Sequence, residues 1–252
     1  MSPNSFRKDW KSAALLKGQK VFNYTIGTTK YTYDATSDKA LSTTHIEYQY
    51  DDQNLLAVHH ALLQSGLEPC AVSIVVTLPI TEYYNPDDCQ KNEIKIAAKR
   101  KNLMREISLN KGELFKIVDV EVMPESLPAV LSSLLNSNCN PFTKSLVIDC
   151  GGTTLDMGII VDGERLPLAP LLAALFRRDS RWLDLVLLRQ IADDEAIELK
   201  TPANQRIRVQ AGRLKPLAAT LIDLFDGFSE GQTLRLSRFD APRLAELNDR
   251  SR

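Results

Sequence analysis

Apolar and polar positions along the chain change period from segment to segment, and each period predicts an element. VFNYTI and KYTYDA, residues 21–26 and 30–35, alternate around Gly27-Thr28 and predict a strand pair. Residues 54–65 carry apolar side chains at helical spacing and predict a helix that Gly66 ends. SIVVTLPI, residues 73–80, is a continuous apolar run and predicts a buried strand. A polar-rich helix is predicted over residues 92–107, a strand pair around Asn110-Lys111-Gly112, and a helix opened by Pro128 in PAVLSSLLNSN. LVIDC, residues 146–150, is a strand, with MGIIVDGE as its hairpin partner. Strands and helices in this order predict an α/β layer fold. No internal repeat interrupts the series.

Beyond residue 160 the pattern becomes more helical. RLPLAPLLAALFRRDSRWLDLVLLRQ predicts one or two amphipathic helices broken near Asp179-Ser180, and IELKTPANQRIRVQ predicts a strand hairpin. KPLAATLIDLFDGF reads as a helix with Gly227 at its end; LRLSRFDAPRLAEL reads as a short strand and a helix capped by Asp240 before Pro242.

Composition sharpens that division. Residues 1–156 hold thirteen Lys and three Arg, whereas residues 157–252 hold two Lys and thirteen Arg. All seven Tyr, three His and four Cys lie in the first part. Both cations suit a solvated face, so surface chemistry alone does not require this inversion. It predicts two coding sequences of different origin joined near residue 160. With 252 residues and 44% apolar content the chain can bury a substantial core. The formal net charge of −1 gives no reason to expect direct contact with nucleic acid or attraction to a membrane surface. No apolar run reaches the ~20 residues of a membrane span, and the N-terminus lacks a signal-peptide core, so a cytoplasmic protein is expected. Cys70, Cys89, Cys139 and Cys150 form no CxxC pair and read as reduced thiols. His59-His60 reads as a helix-surface or core-edge pair rather than a pair of metal ligands.

The chemistry concentrates in LVIDCGGTTLDMG, residues 146–158. An apolar strand ends on Asp149 and meets Gly151-Gly152-Thr153-Thr154, followed by Asp156. Glycines lacking Cβ let successive backbone N–H groups face an anion, and Thr hydroxyls add donors. Asp149 could then hold a hydrated magnesium ion. A Gly-Gly hairpin with Asp and Thr as ordinary turn residues explains the same letters. Asp156 reads as a turn or structural carboxylate. Glu125 reads as a surface acid in a Pro-flanked turn, and Tyr83-Tyr84 as packing or loop-anchoring residues.

SPNSFRKDW (2–10), KVFNYTI (20–26), VHHALLQSGL (58–67), VVTLPITEYY (75–84), VMPESLPA (122–129) and LVIDCGGTTLD (146–156) together resemble the ParM/StbA plasmid-segregation proteins, which are actin-like ATPases. The resemblance is collinear from residue 2 to about residue 160. It implies a ribonuclease-H-like fold of two lobes around ATP and magnesium, filament assembly, and a plasmid partition adaptor as a possible partner. By the same resemblance Asp149, Gly151, Gly152, Thr153 and Thr154 match the second phosphate loop, Asp149 reaches magnesium through water, and Glu125 matches the acid that orients the attacking water. The family starts with a strand and a phosphate turn ahead of the segment matching SPNSF, and its second lobe carries a Gly-Gly adenine-binding region. Neither is found here, so the expectation is an actin-like lobe over residues 1–160, truncated and impaired in nucleotide binding and hydrolysis. Residues 161–252 would be an unrelated, mainly helical appendage. From about residue 163 the sequence resembles a non-motor region of proteobacterial Swi/Snf-type helicases, and no Walker-type GxxxxGK[ST] occurs. The alternative is a non-catalytic fusion product whose C-terminal part is a binding module.

Overall fold

The computed structural model describes residues 5–10, 21–35, 37–136, 144–150, 155–161, 163–202 and 204–225. They form a mixed α/β structure divided into two compact units, residues 1–78 with 93–123, and residues 79–92 with 124–252.

The first unit holds a four-stranded antiparallel sheet in the order β1-β3-β2-β5, built from β1 (Phe6–Lys8), β2 (Asn23–Ile26), β3 (Thr29–Tyr33) and β5 (Ser108–Leu109). The hairpin expected around Gly27-Thr28 forms, with Ile26 opposite Thr29 and Gly27 at φ +57°. That positive φ suits glycine. Helix α1 (Asp52–Leu63) starts at Asp51, whose carboxylate accepts the amides of Gln53 and Asn54 at 2.8 and 3.2 Å. It buries Leu55, Leu56, His59 and His60 along one face. Helix α3 (Glu93–Leu103) has Glu93 in its first turn and Arg100 and Lys101 in its last, the polarity that the helix dipole favours.

Three expectations for this unit change. No hairpin forms around residues 110–112: β5 pairs with β2, Leu109 opposite Tyr24, whereas β6 (Lys116–Pro124) pairs with β4 (Ala71–Leu78). Gly112, at φ +101°, lies in the segment between β5 and β6. The apolar run of residues 73–80 ends as a strand at Leu78, because Pro79 starts the short helix α2 (Ile80–Tyr83). It is also only half covered, with Val75 61% exposed. Finally, His59 and His60 are not at the surface but enclosed. The His60 ring stacks on Tyr33 at 3.7 Å and meets the edges of Phe6, Phe22 and Tyr24, and Tyr24 Oη shares a hydrogen bond with its Nδ1 at 2.8 Å.

The second unit contains helix α4 (Leu127–Asn136), a three-stranded antiparallel sheet of β7 (Ser145–Cys150), β8 (Leu155–Val161) and β9 (Glu164–Pro167), and a hairpin of β10 (Ala196–Lys200) with β11 (Arg206–Gln210). Helices α5 (Leu168–Arg178), α6 (Leu185–Gln190) and α7 (Ala211–Phe225) complete it. The i, i+3, i+4, i+7 set Leu168, Leu171, Leu172 and Leu175 gives α5 its buried stripe. The break expected near Asp179-Ser180 is a short 3-10 turn (Ser180–Leu183) that Asp179 caps by accepting the Arg181 amide. Residues 165–167, expected inside a helix, are strand instead, with the helix beginning only after Pro167.

The composition step near residue 160 falls inside this second unit. One apolar cluster joins Ile159 and Val161 of β8 to Leu168, Leu171, Trp182, Ile197, Val209 and Leu214. Strand β9 extends the β7–β8 ladder, with Ile159 opposite Leu166. The strand and capped helix expected from LRLSRFDAPRLAEL lie outside the described residues. Among the described residues no helix is long and apolar enough to cross a membrane.

Candidate functional site

The hairpin expected from LVIDCGGTTLDMG is present. Strands β7 and β8 are in register from Ser145 opposite Ile160 to Cys150 opposite Leu155, so four residues, Gly151, Gly152, Thr153 and Thr154, link them. Those four lie outside the described residues.

Side chains alternate between the two faces of this hairpin. Leu146, Ile148, Met157 and Ile159 pack into the cluster that α5 completes. The opposite face bears Val147, Gly158 and Ile160, then Asp149 and Asp156 at the loop end. Asp149 and Asp156 are directly opposed in the ladder, and opposed residues of an antiparallel pair project from the same face with Cβ atoms ~5 Å apart. Two carboxylates therefore stand side by side at the base of the Gly-Gly-Thr-Thr loop.

Their surroundings separate them. Asp156 is 2% exposed, and its Oδ1 accepts the Ile80 amide at 2.7 Å, holding the first residue of α2 to the sheet. This is the structural carboxylate the sequence suggests. Asp149 is half-buried and accepts a hydrogen bond from the Ser126 hydroxyl. Ser126 follows Glu125 in the turn between β6 and α4 and sits at φ +64°, a left-handed conformation that costs a non-glycine residue ~1 kcal/mol or more. Glu125 is half-buried, and its carbonyl accepts the Leu127 amide at 2.7 Å. The Ser126 bond thus places the Glu125 turn beside Asp149.

Leu127 fixes that placement from the helix side. It is fully buried against Gly158, where an added Cβ would come within 2.5 Å of Leu127 Cδ2. Glycine at 158 is what lets α4 approach β8 this closely. Tyr83 and Tyr84 anchor the neighbouring segment, as the sequence suggests. Their rings meet edge-on at 4.9 Å, Tyr84 Oη donates to the Arg165 carbonyl at 2.8 Å, and burial pushes the Tyr84 phenol up to about 12.

Of the residues singled out by sequence, the structure brings Asp149 and the turn of Glu125 together and gives Asp156 an anchoring bond. Ser126 was not singled out. Its signal was the tight turn MPES-LP, in which a hydroxyl lies next to the candidate acid. Among the described residues no three His, Cys, Asp or Glu side chains cluster as a metal cage. The donors present are oxygens, which suits a hydrated magnesium ion held through one carboxylate and phosphate oxygens rather than by a protein cage.

No curated protein matches the sequence significantly. The chain is similar to a solved archaeal actin homologue, Ta0583, at 14% identity and TM-score 0.48, over 99% of this chain and 72% of that one. It is similar also to the Alp12 filament, at 15% identity and TM-score 0.41 over 64% of this chain and 48% of that one. A third similarity is to the AlfA filament from the B. subtilis plasmid pLS32, at 15% identity and TM-score 0.39 over 65% and 58% of the respective chains. The family profile described as "Plasmid segregation protein ParM, N-terminal" matches residues 1–136, more than half of the 252, and the chain belongs to this family of actin-like plasmid segregation proteins.

Proposed function

We propose that the protein is an actin-like ATP-binding protein of plasmid segregation whose phosphate site is the β7–β8 hairpin. The observation that carries this reading is the Asp149–Ser126 bond, which sets the Glu125 turn beside the carboxylate at the base of the Gly-Gly-Thr-Thr loop. In the proposal, backbone amides and hydroxyls of residues 151–154 take the phosphate oxygens, and Asp149 orients the metal's water ligands. Magnesium, when bound, would neutralise charge on the phosphate oxygens. The Glu125 carboxylate accepts a hydrogen bond from the attacking water and holds it in line.

Turnover in this proposal is slow. Asp156 is committed to the Ile80 amide, which leaves Asp149 as the carboxylate of the pair that can face a metal. Residues 163–252 contain no Gly-Gly pair of the kind expected at an adenine site. Assembly with itself or with an intact relative, and contact with a partition adaptor, belong to the same proposal. The second reading, a fusion product without catalysis whose C-terminal part is a binding module, draws on the Lys-to-Arg inversion near residue 160.

Pelleting and light scattering with and without Mg-ATP, coupled to phosphate release, separate the two. Nucleotide-dependent assembly with slow release that Glu125→Ala abolishes supports the first. A folded chain that neither assembles alone nor changes assembly of an intact relative supports the second.

A further inference from the structure

Ser126 holds a backbone conformation, φ +64°, in which glycine is at ease and a residue with Cβ is strained. Glycine would make the same turn from β6 into α4 without that strain, so the strain points to a use for the serine hydroxyl. That hydroxyl donates to Asp149 Oδ2. Both ends of the bond are held by other contacts. Leu127, next in the chain, is fully buried against Gly158 of β8, and Asp149 is fixed in the β7–β8 ladder opposite Asp156. Asp156 cannot take the place of Asp149, because it is buried with its Oδ1 on the Ile80 amide. With Oδ2 accepting the Ser126 hydroxyl, Oδ1 is the oxygen that Asp149 has left for the ligand shell of a cation.

We propose that Ser126 is a positioning residue that makes Asp149 meet the metal through one oxygen, and that this favours hydrated magnesium over calcium. The inference rests on the magnesium-nucleotide reading of the hairpin. One oxygen is enough to accept a hydrogen bond from a magnesium-bound water, and magnesium gives up its water reluctantly. Calcium is larger, gathers more oxygen ligands and readily takes both oxygens of a carboxylate. Carboxylates that serve a metal are oriented by hydrogen bonds from outside its ligand shell, and losing such a partner typically weakens metal binding ~10–100-fold.

Isothermal titration of the full chain with ATP, once in magnesium and once in calcium at equal concentration, tests this on two variants. Ser126→Ala removes the hydroxyl and keeps the strained backbone, whereas Ser126→Gly removes both. Urea midpoints should therefore separate the two variants, while their metal preference changes alike. The expected result is a wild-type chain that binds Mg-ATP more tightly than Ca-ATP, and variants that both weaken Mg-ATP about tenfold or more while changing Ca-ATP less. Should Ser126→Ala fail a circular-dichroism check of folding, Ser126→Gly carries the test. An unchanged magnesium-to-calcium ratio in a folded variant, or a wild-type preference for calcium, overturns the proposal. So does a loss confined to Ser126→Ala, because the effect would then follow stability and mark a purely structural residue. A folded wild-type chain that takes up neither complex overturns the magnesium reading and this inference with it, whereas Mg-ATP binding that both variants keep intact overturns the inference alone.

Discussion

Acidification from pH 7 to pH 5 should destabilise the first unit through its enclosed histidine pair. Burial holds the His59 and His60 imidazoles at about 4, against an ordinary value of 6.5. Protonation would place a cation on His60 inside the ring of Phe6, Phe22, Tyr24 and Tyr33 and another on buried His59, and His60 Nε2 and His59 Nδ1 have no partner among the described residues. Between pH 6.5 and 4 the unfolded chain binds more protons than the folded one, so stability falls as pH falls. A group titrating at 4 when folded and 6.5 when unfolded loses at most about 2 kcal/mol at pH 5, and two such groups at most about 4 kcal/mol. That is a large part of the ~5–15 kcal/mol that holds a typical domain. Asp51 acts in the opposite sense, since burial raises its carboxyl, but it does so nearer the ordinary carboxylate range.

Urea unfolding followed by circular dichroism at half-unit pH steps measures the slope, and imidazole resonances in NMR report the two titrations directly. His60→Phe keeps the ring packing, leaves Tyr24 Oη without its 2.8 Å partner, and should lower stability at pH 8 by ~1–3 kcal/mol while roughly halving the slope. Stability that stays level from pH 7 to 5, or imidazoles titrating near 6.5, would refute the reasoning.

Other outcomes follow from the second unit. Gly158→Ala should cost ~1–3 kcal/mol by driving a methyl into buried Leu127, and Leu127→Val in the same chain should recover part of that loss in thermal melts. Asp156→Ala should cost ~1–3 kcal/mol by leaving the buried Ile80 amide without its acceptor, whereas Asp156→Asn, which keeps a carbonyl there, should cost less in the same melts. Ser126→Ala removes the hydroxyl on Asp149 and should cost ~1 kcal/mol. Ser126→Gly, which relieves the φ of +64°, should cost less or stabilise, as compared by urea midpoints.

Local chemistry was the legible part of the sequence. The β7–β8 hairpin follows from an apolar run stopped by Gly151-Gly152, and the α5 stripe from leucines at helical spacing. What stayed hidden was which strand meets which. Leu109 finds Tyr24 across 85 residues of chain, and β6 finds β4, so a turn signal at residues 110–112 pointed to the wrong partners. The histidine pair misled for a similar reason. His60 is polar by type, yet the aromatic rings that enclose it arrive from residues 6, 22, 24 and 33. Residues 165–167, Arg-Leu-Pro, are too few for their period to tell helix from strand, and the ladder to β8 decides it. At the site, Asp149 and Glu125 were visible as acids beside turns. Ser126 was not, because its role depends on a left-handed backbone bringing its hydroxyl to a residue 23 positions away.

The central claim is that the Asp149 hairpin is a magnesium-nucleotide site in an actin-like segregation protein. Isothermal titration of the folded chain with Mg-ATP tests it most directly. The account predicts measurable binding, in the micromolar range or weaker, that Asp149→Ala abolishes and Asp156→Asn leaves largely intact. No heat of binding in a sample shown to be folded, or binding unchanged by Asp149→Ala, would contradict it.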